Sequence, residues 1–245
     1  MDIKYIDDKN VQVNGSNYHL TFEDNFEGNE LDTTKWELCP EVPRHNLGGK
    51  WAHKMTEVKD GHLYLNTGRD DDGTVISGAV QTEATFKQTY GYFEAKMKFP
   101  KPPLSFWGAF WLMCGDMGTV TGSAEEGIEI DVIESITNKH YTMQHNLHWD
   151  GYCEGHKSTG EVYVGEGLGL YDGWHTYGVE WSEEGYTFYI DGKLSWHTDV
   201  PEICNRPGYM LLSIEYGKQT GFTEILEEHI GPSVEVDYVK AYAKD

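Results

Sequence analysis

The chain lacks a basic excess, a long apolar run, a metal-type cysteine pair and any stretch with a helical period. Its 19 Lys and Arg stand against 41 Asp and Glu, a formal charge of −22. A field of that sign repels phosphate and sulfate polymers, so nucleic acid, anionic membrane surfaces and sulfated polysaccharides are poor partners, and a neutral polymer fits better. No apolar stretch approaches the length of a membrane span, and the start MDIKYIDDKN has neither the basic residues nor the apolar core of a secretion signal. The chain is therefore either cytoplasmic or a form whose leader has been removed; the second is expected, with the protein working outside the cell as a monomer. Cys39, Cys114, Cys153 and Cys204 are widely spaced with no CxxC, which argues against a zinc site and permits up to two disulfides without requiring any. The 28 glycines penalise helices.

What the chain has in quantity is short strands. From residue 57 onward, runs such as SGAVQTEATF, YGYFEAKMKF, GAFWLMCG, YTMQHNLHW, HTYGVEWS, YTFYIDGKLSW and VEVDYVKAYAK alternate or are apolar, and each is bounded by Gly, Asp, Asn or Pro. That spacing predicts an all-β sandwich of two antiparallel sheets, and 245 residues suit one such domain over 1–245. Residues 37 to 56 show neither period, and hold Arg44, Asn46 and Trp51; this is read as a long surface loop, equally suited to a packed Ω-loop or to the wall of a binding cleft. Aromatics are abundant, with 8 Trp and 16 Tyr, as in a surface that stacks on flat apolar ring faces. On the strand beginning at Trp107, alternation puts Trp107, Ala109 and Trp111 on one face, a stacking platform if that face lines a cleft.

The run EIDVIE, Glu129 to Glu134, has the least structural justification. In a regular strand Glu129 and Asp131 share a face and Glu134 opposes them. One extra residue, a β-bulge near Val132 or Ile133, brings all three acids onto one wall and leaves Ile130 and Val132 in the core. Three like charges on one wall raise one another's pKa values, a cost a purely structural strand has no reason to bear. Two carboxylates on a cleft wall are the apparatus of glycoside hydrolysis, and the retaining form sets them about 5 to 5.5 Å apart. In this reading Glu129 is the nucleophile, Asp131 helps to hold it ionised, and Glu134, in the field of both, is the general acid.

EIDVIE preceded by WGAFWLM resembles the active-site signature of glycoside hydrolase family 16, and FEDNFEGNELDTTKW, SGAVQTEATFKQTYGYFEAKMK, DGWHTYGVEWSEEGYTFYIDGKL and VDYVKAYA extend the likeness over nearly the whole chain. The resemblance implies a concanavalin-like β-jelly roll with a concave cleft and a retaining mechanism that requires no cofactor. It implies the same roles for Glu129, Asp131 and Glu134. The bulged spacing is that of the laminarinase, lichenase and agarase side rather than the xyloglucan transglycosylases. It also implies a cleft histidine, for which His148 is preferred to His145, with Trp149 beside it. Glu215 departs from the small or amide residue usual at its position and is placed among the substrate-binding residues. A structural calcium on the convex side is implied for many members, and the corresponding positions are Asn25, Gly61 and Asp237. The expected activity is endo-cleavage of β-1,3 or mixed β-1,3/1,4-glucans; the alternatives are a galactan-cleaving enzyme of the same fold and a lectin-like module without turnover.

Overall fold

The computed structural model describes residues 2–44, 49–102, 104–115, 117, 126–136, 141–152, 154–164, 168–198, 203–217 and 221–245. Two large antiparallel sheets face each other. The seven-stranded sheet runs in the order Lys157–Val164, Thr142–Trp149, Gly127–Ile136, Phe106–Gly115, Gly208–Tyr216, Ala79–Gln81, Glu37–Leu38. The main path of the ten-stranded sheet runs Ile3–Tyr5, Asn10–Val13, Ser16–Asp24, Val234–Lys244, Gly91–Lys98, His175–Ser182, Gly185–Ile190, Lys193–Thr198, with the hairpin Thr56–Lys59 and His62–Leu65 attached to Val234–Lys244. The jelly-roll expectation is met. Chain chemistry explains several of the reversals: Asn14-Gly15, Asp60-Gly61 and Asp191-Gly192 each place two residues at positive φ, the requirement of the two-residue hairpin turn that matches strand twist.

The space between the sheets is filled by alternate side chains of each. Phe110, Leu112, Ile130, Val132, Ile133, Leu147, Leu212 and Ile214 meet Phe93, Ala95, Met97, Val179, Trp181, Phe188, Val236 and Val239 in one apolar cluster. Burial of this kind is worth roughly 25 cal/mol per Å² of apolar surface removed from water, the main term favouring the fold.

A second, smaller core was not foreseen. Alternation along YGYFEAKMKF turns Tyr92 and Glu94 outward, yet both are wholly buried. The N-terminal hairpin covers them, and Ile3, Val11, Val13, Tyr18, Tyr92, Tyr189 and Tyr242 form a separate apolar cluster. Glu94 accepts hydrogen bonds there from Tyr5, Tyr92 at 2.6 Å and Tyr238 at 2.9 Å. A buried carboxylate is tolerable only when its lone pairs are so occupied.

The stretch 37 to 56 is ordered where described. Pro43–Arg44 and Gly49–Trp51 pair with each other, and the latter runs parallel to Val75–Ser77 in a four-stranded sheet. Asn46 lies outside the described residues. Cys39, Cys114 and Cys204 are buried free thiols, and Cys153 lies outside the described residues.

Candidate active site

The bulge sits at Val132. Against Phe106–Gly115 the register steps from Asp131 opposite Trp111 to Ile133 opposite Phe110, and against Thr142–Trp149 it steps from Asp131 opposite Asn146 to Glu134 opposite Gln144. Ile130, Val132 and Ile133 are all fully buried. Glu129, Asp131 and Glu134 therefore share the outer face of the seven-stranded sheet, as the spacing predicted. The carbonyl of Val132, released from the ladder by the bulge, is taken by His145, whose Nδ1 donates to it from the core face of the next strand.

The three acids line a cleft of about 580 Å³ with Arg44, Trp51, Gln81, Trp107, Trp111, Gln144, Asn146, His148, Tyr152, His156, Tyr209 and Glu215. Trp107 and Trp111 form the floor as expected, and Trp111 Nε1 donates to Ser213 Oγ at 3.1 Å. Glu215 is neighboured by Arg44, whose Nε lies 3.1 Å from its carboxylate and whose guanidinium stacks 3.9 Å above Trp51. The odd acid of the sequence thus ties the long loop to the cleft floor. Trp149 corrects the reading: it packs against the main core, because its odd place on the Thr142–Trp149 strand turns it away from His148.

Each acid has a distinct environment. Glu134 Oε2 accepts from Gln144 Nε2 at 2.7 Å and Asn146 Nδ2 at 2.6 Å. His148 Nε2 lies 3.2 Å from Asp131 Oδ2, and His148 Nδ1 lies 3.0 Å from His156 Nε2, the two imidazoles stacked. Glu129 accepts from the Tyr152 hydroxyl. Burial, then the neighbouring Asp131, pushes Glu129 up to about 8, opposed by Tyr152 and His148. Burial, then Glu134 and Glu215, raises Asp131 as well. This reverses one expectation: as a charge Asp131 works against ionisation of Glu129, and only a proton-bearing Asp131 could support it. Tyr152 and His156 were not singled out from sequence; they come from the turn after Trp149, and the signal was the HWDGY…H run that continues from His148.

Of the residues implied for calcium, Asp237 already has a cation against its carboxylate. Asp237 is engaged by Lys96 Nζ at 2.6 Å and approached by His62 Nε2 at 3.6 Å, and Asn25 is exposed. Calcium takes six to eight oxygens, and an ammonium already on the one carboxylate competes with it. Among the described residues a ligand-like group does occur at Glu129, Asp131 and His148, whose donor atoms lie within 4.8 Å of one another. These are the candidate catalytic groups, so a cation held there would block the nucleophile.

No helix among the described residues is long and apolar enough to cross a membrane. A sequence profile described as "Beta-porphyranase A-D, GH16 domain" matches residues 18–244. The endo-1,3-1,4-beta-glycanase ExsH of Rhizobium meliloti is 32% identical over 170 residues, 69% of this chain and 34% of that protein, so the chain spans about a third of that relative's length. Beta-porphyranase B of Zobellia galactanivorans is 26% identical over 212 residues, 78% of this chain and 71% of that one. Among solved structures, an endo-beta-1,3-glucanase from Pyrococcus furiosus superposes with a TM-score of 0.75 at 19% identity, covering 97% of this chain and 98% of the other, a likeness of fold. With the bulged acidic strand in place on a jelly roll and a family profile matched over residues 18–244, the chain belongs to glycoside hydrolase family 16.

Proposed function

We propose that the protein is an endo-acting, retaining glycoside hydrolase that cleaves β-1,3 or mixed β-1,3/1,4-glucans such as laminarin and lichenan, outside the cell and as a monomer. The observation that carries this is the bulge at Val132, which sets Glu129 and Glu134 on one wall above a Trp floor. Glu129 attacks the anomeric carbon while Glu134 protonates the leaving oxygen; Glu134 then takes a proton from water, which attacks the anomeric carbon, breaks its bond to Glu129 and frees the sugar with its original anomeric configuration. Both amides donate to one oxygen of Glu134, which leaves the other for the travelling proton. Asp131 is buried on the same wall and its pKa is raised by burial and its acidic neighbours, so the acidic limb of the rate profile does not belong to Glu129 alone. No cofactor enters this scheme. The glucan reading is supported by the relative named as a 1,3-1,4-beta-glycanase.

The galactan reading stays as the second, because the matching profile is described by porphyranases. Release of reducing ends from laminarin, lichenan, agarose and porphyran decides between them. Activity on the first two is expected, Glu129→Gln abolishes it, and turnover confined to the galactans overturns the glucan reading. A protein that binds these polymers without cutting any would be the lectin-like module instead.

A further inference from the structure

We propose that the turn joining Thr142–Trp149 to Lys157–Val164 is a two-point holder for the catalytic acids, in which Tyr152 and His156 act as positioning residues for Glu129 and Asp131.

The described ends of the turn are fastened to the sheet. Asp150 and Gly151 adopt φ of 63° and 71°, which reverses the chain immediately after Trp149. Lys157 Nζ pins the Asp150 carboxylate at 2.6 Å, and Lys157 pairs with Trp149 across the strand end. From this base the side chains of Tyr152 and His156 reach back over the sheet, their rings 6.1 Å apart. Tyr152 is 53% exposed, unusual for a large aromatic, yet its hydroxyl is committed to Glu129 Oε2. Packing does not explain that geometry, since an exposed ring gains little by it; the hydrogen bond to a mostly buried carboxylate does.

His156 acts through His148, whose Nε2 lies 3.2 Å from Asp131 Oδ2 without a hydrogen bond between them. His148 Nδ1 and His156 Nε2 share a hydrogen bond at 3.0 Å across two stacked rings, so His156 holds the imidazole that stands over the acids. The turn therefore delivers one donor to Glu129 and a ring that fixes His148 beside Asp131.

A donor on the ionised form lowers a carboxyl's pKa. Glu129 faces Asp131 and Glu134 on its own strand, His148 on the next, Tyr209 across the floor, and Tyr152 above, while Arg44 and Glu215 form their pair elsewhere in the same cleft. Of the groups that act most strongly on it, Tyr152 and His148 alone favour the charge that attack requires, against burial and the neighbouring acids. The same hydroxyl supports the carboxylate as it departs when the glycosyl-enzyme is hydrolysed.

Tyr152→Phe keeps the ring and the turn and removes only the donor. Its Glu129 carboxyl, followed by ¹³C titration and assigned with Glu129→Gln, is expected to titrate about one pH unit higher than in the wild type. The acidic limb of kcat/KM moves up by the same amount, with a roughly tenfold loss of kcat at pH 6 and little change in KM. His156→Ala shifts the limb in the same sense by a smaller step. An unchanged Glu129 titration in Tyr152→Phe overturns the proposal, as does a variant with lowered melting temperature and an unmoved acidic limb. The kinetic arm rests on the glycosidase reading and the carboxyl titration does not, so a wild type inactive on every polymer counts against that reading while the titration still decides Tyr152.

Discussion

Glu129 sets stability against chemistry. An unfolded glutamate ionises near 4.3, whereas burial and Asp131 hold this one protonated to about 8. Between those values the folded state binds the extra proton, so this group's contribution to stability falls as pH rises through the window. Glu129→Gln is expected to abolish turnover and to raise the melting temperature at pH 8, with the gain, about 1–3 kcal/mol, shrinking toward pH 4; a calorimetric pH series checks it. The acids and the Trp pair were legible in the sequence because strand alternation fixes which side chains share a face, whereas His148 and Glu215 were picked out through the family resemblance. Trp149 was misplaced by the same rule misapplied, since adjacency in sequence puts it on the opposite face from His148. Tyr152 and His156 were not legible, because their reach depends on a turn at Asp150 and Gly151 whose path alternation does not describe.

The bulge depends on its neighbours in the sheet. His145 donates to the Val132 carbonyl, places Nε2 2.8 Å from Ser195 Oγ and stacks on Phe188, and burial lowers its pKa to about 4. Unfolded histidine takes up a proton near 6.5 and the native one near 4, so stability drains as pH falls between the two. His145→Phe keeps the ring and removes the donor: a loss of about 1–3 kcal/mol at pH 7, at least tenfold slower turnover as Glu134 drifts, and a flatter acid-side melting curve are expected. Gly160 guards the same region. A Cβ there would lie 2.0 Å from Asn146 Oδ1 and 2.4 Å from the His145 carbonyl, so Gly160→Ala must move the strand that aims Asn146 at Glu134. Denaturant melts and kcat measured together should show stability and rate falling in step. The need for a bulge was readable from the phase of EIDVIE. Its support was not, because His145 reads from sequence as one more alternating residue and its partner is a main-chain carbonyl on another strand.

Over the whole molecule, the far face holds Lys96, Asp237, His62 and Trp174 together, with the His62 ring stacked 4.9 Å from the indole. The ammonium occupies the carboxylate that calcium would need, so chelator should leave the melting temperature unchanged. Lys96→Met, which leaves Asp237 without its near cation, should lower it by a few degrees. A chelator-induced drop in the wild type would refute this account of the far face. The sandwich itself was legible, since turn residues bound nearly every strand from residue 57 onward. The N-terminal hairpin and the second core were not: residues 3 to 13 are short and polar, and only the tertiary structure shows that they roof Tyr92 and Glu94.

Both ends of the chain are fastened to that far sheet. Ile3 N bonds to Gly192 O at 2.8 Å, Asp245 N to Asn17 O at 3.0 Å, and the Asp245 side chain to His19 at 2.8 Å. The cleft opens on the outer side of the other sheet, with the whole core between. A tether at either end, to a resin bead or to a neighbouring module, would hold the molecule by its back and leave the acidic wall facing the polymer.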